Sequence, residues 1–350
     1  MNIYEQQRAN RKNTVVVVAI FIVFFALLGM GFDLFYFGFN PWNSRPTAAE
    51  IGPAMELPDD APTPGMGFPI ATVIALLFGS GQAWWGMKFG DRAVLAAASA
   101  VPINPSTTDP QEKQLLNIVE EMKIASGLPM PKVYLIPDSD PNAFATGPDP
   151  DHASIAVTRG LIEKLNREEL QGVIAHEMSH VRNLDIRLMT VIAALVGGVI
   201  LLSDWAARSM RYGGGRSGSS RRGKGGGGAG AILLVVWIIA VVLAPILAQI
   251  LAMAVSRQRE YLADASGAEL TRNPAGLAAA LKKIETDHSP THSIKKGTAH
   301  LCIADPLGRK MGFREGFWAD LLATHPPMPH RISKLMQMAY QNPSPTPLGQ

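Results

Sequence analysis

The chain has 350 residues, of which 47% are hydrophobic and 17% charged, and its mean hydropathy is +0.11. The formal net charge of +3 supplies no overall field that would argue for a nucleic-acid partner, and none is expected. Its one cysteine, Cys302, excludes an intrachain disulfide and a thiolate-rich zinc site.

The apolar residues come in blocks. Residues 13–37 carry a single charge, Asp33, and exceed the roughly 20 apolar residues that a spanning helix needs. The run is too long for a signal-peptide core and no small-residue cleavage site follows, so it reads as an uncleaved anchor. Residues 68–89 give a second span, with Trp84 and Trp85 where an interfacial aromatic belt would lie. Arg8, Arg11 and Lys12 precede this hairpin and Lys88 and Arg92 follow it. The loop inside it carries Glu50, Glu56, Asp59 and Asp60 against Arg45 alone. The positive-inside rule then puts both ends of the hairpin, residues 1–95, in the cytoplasm.

Residues 96–187 read as the first part of a cytoplasmic globular domain. Leu115, Leu116, Ile118, Val119, Met122 and Ile124 fall near helical spacing, and Gly127 with Pro129 forms a stop signal. Residues 132–137 and 154–160 read as short strands, separated by a turn-rich stretch around "NAFATG". In "LNREELQGVIAHEMSHVRN", from Leu165, Asn166 is placed to cap a helix and Glu169 completes a capping box. Leu170, Val173, Ile174, Met178 and Val181 form the apolar face of that helix.

Four residues along a helix is a turn of about 40° and a rise of about 6 Å. His176 and His180 can therefore aim both imidazoles at one cation, while Glu177, beside the first, is turned away from coordination. There it can take a proton from a water that the cation has acidified, the arrangement for which H-E-x-x-H is known. The same three residues could instead be the wet face of an amphipathic helix. A third ligand distinguishes the two. The metzincin extension is absent, since Asn183 and Ile186 stand where it requires glycine and histidine. His288, His292 and His300 are candidates, but the better one is Glu260. It lies four residues before Asp264, so both project from one helical face. Glu260 can bind the metal, and Asp264 can accept a hydrogen bond from a ligand histidine and fix its tautomer. As surface acids, the two would merely offset Arg257 and Arg259.

Residues 188–255 form a hydrophobic hairpin between the two halves of this site. Its first arm, 188–207, is interrupted by Asp204, and its second, 229–255, is the longest apolar block. The loop 208–228 holds five arginines and a lysine without an acid. In composition it is a flexible linker, and if both arms cross the bilayer it violates the positive-inside rule. Residues 256–340 complete the globular domain, and 341–350 are a flexible tail.

"PNAFATG", "LNREELQGVIAHEMSH", "REYLADASGAEL", "TAHLCIADPLG" and "THPPMPHRI", in this order and behind two spans, resemble the HtpX-type membrane zinc metalloproteases. These are gluzincins related to the CAAX prenyl endopeptidases. The resemblance implies an α+β, mainly helical fold: integral membrane helices plus a cytoplasmic zincin-like domain with a small sheet. It implies a multi-pass zinc endopeptidase of the bacterial cytoplasmic (inner) membrane, acting on unfolded or damaged membrane proteins under stress, with the bilayer as its other partner. By position His176, His180 and Glu260 would ligate one Zn2+ per subunit, Glu177 would be the general base, and Asp264 would support a ligand. Asn142, Ala143, Phe144 and Ala145 would be an edge strand pairing with substrate backbone. His325 or Arg331 would stabilise the oxyanion; a Pro-Pro turn before a final helix accounts for that segment equally well. The Gly/Arg-rich loop is longer than the family norm, and Asp305 stands where asparagine is common. His152, His288, His292, His300 and His330 read as surface residues, and Asp185 as a helix-end charge that could also support the site. Two other readings are a CAAX-type prenyl-protein endopeptidase and a non-catalytic scaffold with a structural zinc. Nothing in the sequence speaks to oligomeric state.

Overall fold

Two long helices open the chain in the computed structural model, which describes residues 3–35, 68–213, 257–287, 289, 292–294, 301–304 and 326–341. Helix α1 (Ile3–Phe35) and helix α2 (Ile70–Ala97) are, among the described residues, the two long and apolar enough to cross a membrane. α1 begins ten residues before the expected span because Glu5, Gln6, Gln7, Arg8 and Ala9 are themselves good helix formers. Val23, Leu27, Ile74 and Leu77 present apolar side chains outward, as lipid-facing residues do.

The described residues fall into two compact units, one within 1–17, 84–200 and 247–350 and the other within 18–83 and 201–246. In the second unit the lone charge of the first span has a structural task. The Asp33 carboxylate accepts from the N–H groups of Ala71 (2.9 Å) and Thr72 (2.7 Å) and from the Thr72 hydroxyl (2.6 Å), satisfying donors that the start of α2 leaves open. Phe25 stacks on Phe78 with ring centroids 5.3 Å apart.

The first unit is built round a four-stranded sheet of order β1-β2-β4-β3: β1 (Val101–Pro102), β2 (Lys132–Ile136), β3 (Ala143–Thr146) and β4 (Ser154–Thr158). β2 and β4 are parallel, and β1 and β3 run antiparallel to their neighbours, which leaves β3 at an edge. Helix α3 (Pro110–Ser126) starts on an Asp109 cap and stops at Gly127, whose φ of 68° is the left-handed turn the sequence signalled. The second predicted strand ends two residues early, because the Thr158 hydroxyl accepts from Leu161 N–H and starts a short helix, α4 (Arg159–Lys164).

Helix α5 (Arg167–Arg182) carries the H-E-x-x-H motif and the expected capping box of Asn166 and Glu169. It packs against α3, β3, helix α7 (Arg257–Thr271) and helix α8 (Pro274–Thr286). It is buried on all sides: His176, Glu177, Ser179 and His180 are as enclosed as Leu170 and Ile174. The polar face is therefore not a wet one. Helix α6 (Asp185–Gly213) follows after a two-residue turn in which Leu184 takes a φ of 59°. It contains the first arm of the predicted hydrophobic hairpin, and Ile186, Leu188, Ile192 and Leu195 there are buried in protein. The second arm, most of the Gly/Arg-rich loop and residues 342–350 lie outside the described residues. The last helix, α9 (Met328–Gln341), starts on Pro326 and Pro327, as the Pro-Pro reading of that segment expects.

Replacing Asn166 with alanine removes the acceptor at the start of α5. Stability is expected to fall by about 1 kcal/mol, read from the midpoint of denaturant unfolding, with the affinity for metal unchanged.

Candidate metal centre

The site forms where α5 meets α7. Glu260, Asp264 and Gly267 occupy one face of α7, and a Cβ built on Gly267 would lie 3.0 Å from the His176 nitrogen and 3.1 Å from its Cα. A side chain there would push the two helices apart by a few tenths of an ångström, so glycine favours that approach. It brings Glu260 from a distant part of the chain to the two histidines, and one ligand atom from each of the three lies within 4.8 Å of the others. The Nε2 atoms of His176 and His180 are 3.2 Å apart. Glu260 Oε2 is 3.8 Å from His176 Nε2, and Glu260 Oε1 is 3.6 Å from His180 Nε2. All three side chains are buried.

The other nitrogen of each ring faces a carboxylate. His176 Nδ1 lies 2.9 Å from Asp264 Oδ1, and His180 Nδ1 lies 3.0 Å from Asp185 Oδ2. A carboxylate there keeps the proton on Nδ1 and turns the Nε2 lone pair toward the partner ring. With both rings neutral two lone pairs would face each other at 3.2 Å, so a positive particle belongs between them, either a proton on His180 Nε2 or a cation. Burial holds His176 below its ordinary pKa, with Asp264 opposing. For His180 burial also disfavours the charge, but the hydrogen bond to Asp185 and the charges of Glu260, Asp185 and Glu177 prevail and push it up to about 9. The charge balance points the same way. Glu177, Asp185, Glu260 and Asp264 are buried together with Arg259 and Arg331, four acids with two permanent cations. The donor set thus fits a divalent cation, which supplies the missing charge.

Asp185 does begin a helix, as the end-charge reading expects, and it also holds His180. Helix periodicity could not show this, because the contact crosses the α5–α6 turn.

Glu177 is 1% exposed and, among the described residues, its Oε2 has no hydrogen-bond partner. Burial, with the charge of Glu260, pushes its pKa up to about 7, against the pull of His180, a hydrogen bond from Ala145 N–H, and Arg331. It can therefore take or give a proton near neutrality.

The Ala145 contact comes from β3. Thr158 N–H donates to Asn142 C=O at 3.0 Å, so residues 142, 144 and 146 bond toward β4 while 143 and 145 face the open edge. At one end that edge is already covered: Ala143 C=O accepts from Ile303 N–H at 3.0 Å. The buried Asn142 amide donates to Ala304 C=O at 3.0 Å. Phe144 is core. Of the four expected substrate-strand residues, only Ala145 turns a backbone group to Glu177.

Arg331 is fully buried and reaches the site, with Nη1 3.5 Å from Glu260 Oε2 and Nη2 3.5 Å from His176 Nε2, but its shorter bonds go to other partners. Its Nε and Nη2 form a fork on Asp264 at 2.8 and 2.6 Å, and Nη1 donates to Ile303 C=O at 2.8 Å. The fork holds the Asp264 carboxyl at a pKa of about 2 despite burial. The geometry is that of a brace for Asp264. His325, His288, His300 and Asp305 lie outside the described residues, while His152, His292 and His330 are exposed. Arg259 and Asn10, which join the site from α7 and α1, had no local signal. Only the four-residue spacing of Gln6, Asn10 and Thr14 in an otherwise basic flank sets Asn10 apart.

If Arg331 braces Asp264, Arg331→Met strands a buried carboxylate and destabilises the protein by about 3–5 kcal/mol in urea unfolding. An oxyanion donor would instead cost turnover with stability intact.

Residues 109–339 match the family model described as Peptidase family M48. A Protease HtpX homolog of Thermoanaerobacter pseudethanolicus is 41% identical over 336 residues, covering 96% of this chain and 98% of that protein. Another of the same name, from Listeria monocytogenes serotype 4b, is also 41% identical and covers 96% and 100%. Among solved structures, the crystal structure of S. mikatae Ste24p is 16% identical, with a TM-score of 0.44 over 77% of this chain and 59% of that one. That likeness is too distant to compare sites.

Proposed function

The chain belongs to peptidase family M48 and is a membrane-bound metalloprotease, and we propose that it is a zinc endopeptidase that cuts unfolded or damaged membrane proteins at the cytoplasmic face of a bacterial inner membrane. The observation that carries this reading is the pairing of a convergent His176–His180–Glu260 cluster with a buried carboxylate, Glu177, poised at about 7. A structural site would have no use for that base.

His176, His180 and Glu260 would hold the zinc, a donor set that leaves a fourth position for water or substrate. Asp264 and Asp185 orient the two imidazoles through Nδ1, and Arg331 steadies Asp264. When bound, the ion supplies Lewis acidity for water activation and carbonyl polarisation. Glu177 accepts the proton of the attacking water and passes it to the leaving amine nitrogen. Its raised pKa suits both directions of transfer. A peptide can pair with the Ala145 carbonyl at the edge of β3, where recognition runs through the main chain and asks little of the side chains. The positive flanks of the α1–α2 hairpin support a cytoplasmic catalytic unit, and the two apolar helices support membrane substrates.

The full-length protein in detergent tests this. Glu177→Gln is expected to keep its metal content while cleavage of a denatured membrane protein drops by about 10²–10⁴-fold. Undiminished turnover would refute the assignment of Glu177. A farnesylated C-terminal peptide run in parallel separates the prenyl-protein reading. Preference for it over the denatured protein would overturn the substrate class while leaving the chemistry standing.

A further inference from the structure

The residues ahead of the first span read from sequence as a basic flank, yet they are folded into the metal-binding unit. Gln6, Asn10 and Thr14, four apart on α1, are only 2%, 1% and 4% exposed. A helix that only led into a bilayer would have no reason to bury amides, since an unmet buried amide costs about 1–3 kcal/mol. Asn10 meets its needs by tying three elements together. Its Nδ2 donates to Asp185 Oδ1 at 2.5 Å and to Asn183 C=O at 3.0 Å, and its Oδ1 accepts from Arg259 Nη1 at 3.3 Å. The network fixes the orientation of the amide, because a flipped group would set oxygen against two oxygens and nitrogen against a guanidinium. Nearby, Gln7 Nε2 donates to Arg182 C=O at 2.8 Å, at the end of α5.

The chain of contacts continues to the metal ligands. Asp185 holds Asn10 through Oδ1 and His180 Nδ1 through Oδ2. Arg259, on the far side of Asn10, immediately precedes Glu260. We propose that Asn10 is a positioning residue of the metal centre. From the amino-terminal helix it fixes the Asp185 carboxylate against His180 and holds Arg259 by Nη1, so residues ahead of the first span complete the zinc site. The carboxylate torsion of aspartate is broad. With the amide removed, Asp185 is free to swing toward Arg259, whose Nε is already 3.9 Å away, and to release His180. The inference rests on His176, His180 and Glu260 holding zinc.

The test uses full-length protein in detergent, stripped with a chelator and titrated with Zn2+ against a chromogenic competitor. Asp185→Ala is expected to weaken zinc binding by about 10–100-fold, the usual effect of losing a ligand's carboxylate partner. Asn10→Ala is expected to weaken it by about 10-fold. The double variant should bind no more weakly than Asp185→Ala alone, because Asn10 acts through Asp185. Gln7→Ala, which loses a neighbouring contact of the same helix, should bind as the unaltered protein does. Turnover of Asn10→Ala under saturating zinc should fall in kcat with KM unchanged. Should Asn10→Ala not stay folded, Asn10→Asp keeps the size and the acceptor for Arg259 but sets a like charge against Asp185, and it too should bind zinc at least 10-fold more weakly. Wild-type affinity in either variant, or additive losses in the double variant, would overturn the proposal. An unaltered protein that takes up no zinc would remove the underlying site assignment, a result distinct from both.

Discussion

Four carboxylates and two guanidiniums are sealed around two imidazoles, and they must be balanced where water cannot help. A charge in that setting is tolerable only when paired and hydrogen-bonded. Arg331 settles Asp264 with a two-pronged contact, and Arg259 stands near Asp185. Arg331 Nη1 also stands 3.5 Å from Glu260 Oε2, so four carboxylates share two guanidiniums, a formal shortfall of two positive charges. The proton affinities answer the same shortfall: His180 is pushed up to about 9 and Glu177 to about 7, both toward keeping a proton inside. A divalent cation does this with one particle and takes the place of the proton between the two Nε2 atoms. Its binding free energy is therefore coupled to the packing of α5 against α7.

That packing is set by the backbone before any charge is considered. Gly267 lets α7 lie against the His176 backbone, and Gly172, one turn earlier on α5, does the same for α8, where a Cβ would come within 2.9 Å of Leu277. α5 can be buried on every side because its neighbours come this close. The same closeness strips water from Glu177 and raises its pKa. A larger residue at position 267 would loosen the helix pair and lower the driving force for proton transfer together, so stability and chemistry meet at one glycine.

The sequence disclosed what is local. The Asn166 cap, the Gly127 stop and the four-residue spacings of His176–His180 and Glu260–Asp264 are patterns within a few turns, and the structure places them on helices as those patterns require. What it did not disclose joins distant segments. Asn10 meets Asp185 across 175 residues, Arg331 meets Asp264 across 67, and Asn142 meets Ala304 across 162. Such contacts leave no periodicity. They show only as polar residues in places that have no need of them, such as an asparagine in a basic flank or an arginine after a Pro-Pro turn. Asp33 belongs to the same class: in the sequence it is only the lone charge of a span, and in the structure it caps α2.

If substrate is read through the main chain, as proposed, the edge of β3 bears on how the protease would avoid intact proteins. What it turns toward Glu177 is a backbone N–H, from Ala145, and its Ala143 carbonyl is already taken by Ile303. A peptide reading this edge must offer main-chain groups in an extended conformation, and folded proteins have already spent theirs on helices and sheets. Helices are the only common form of backbone inside a membrane, where every polar group is satisfied within the segment. On the proposed reading, a membrane protein becomes a substrate at the moment a segment loses its helix and exposes unpaired backbone. Selection then needs no sequence motif, because the test applied at β3 is whether the chain is unfolded.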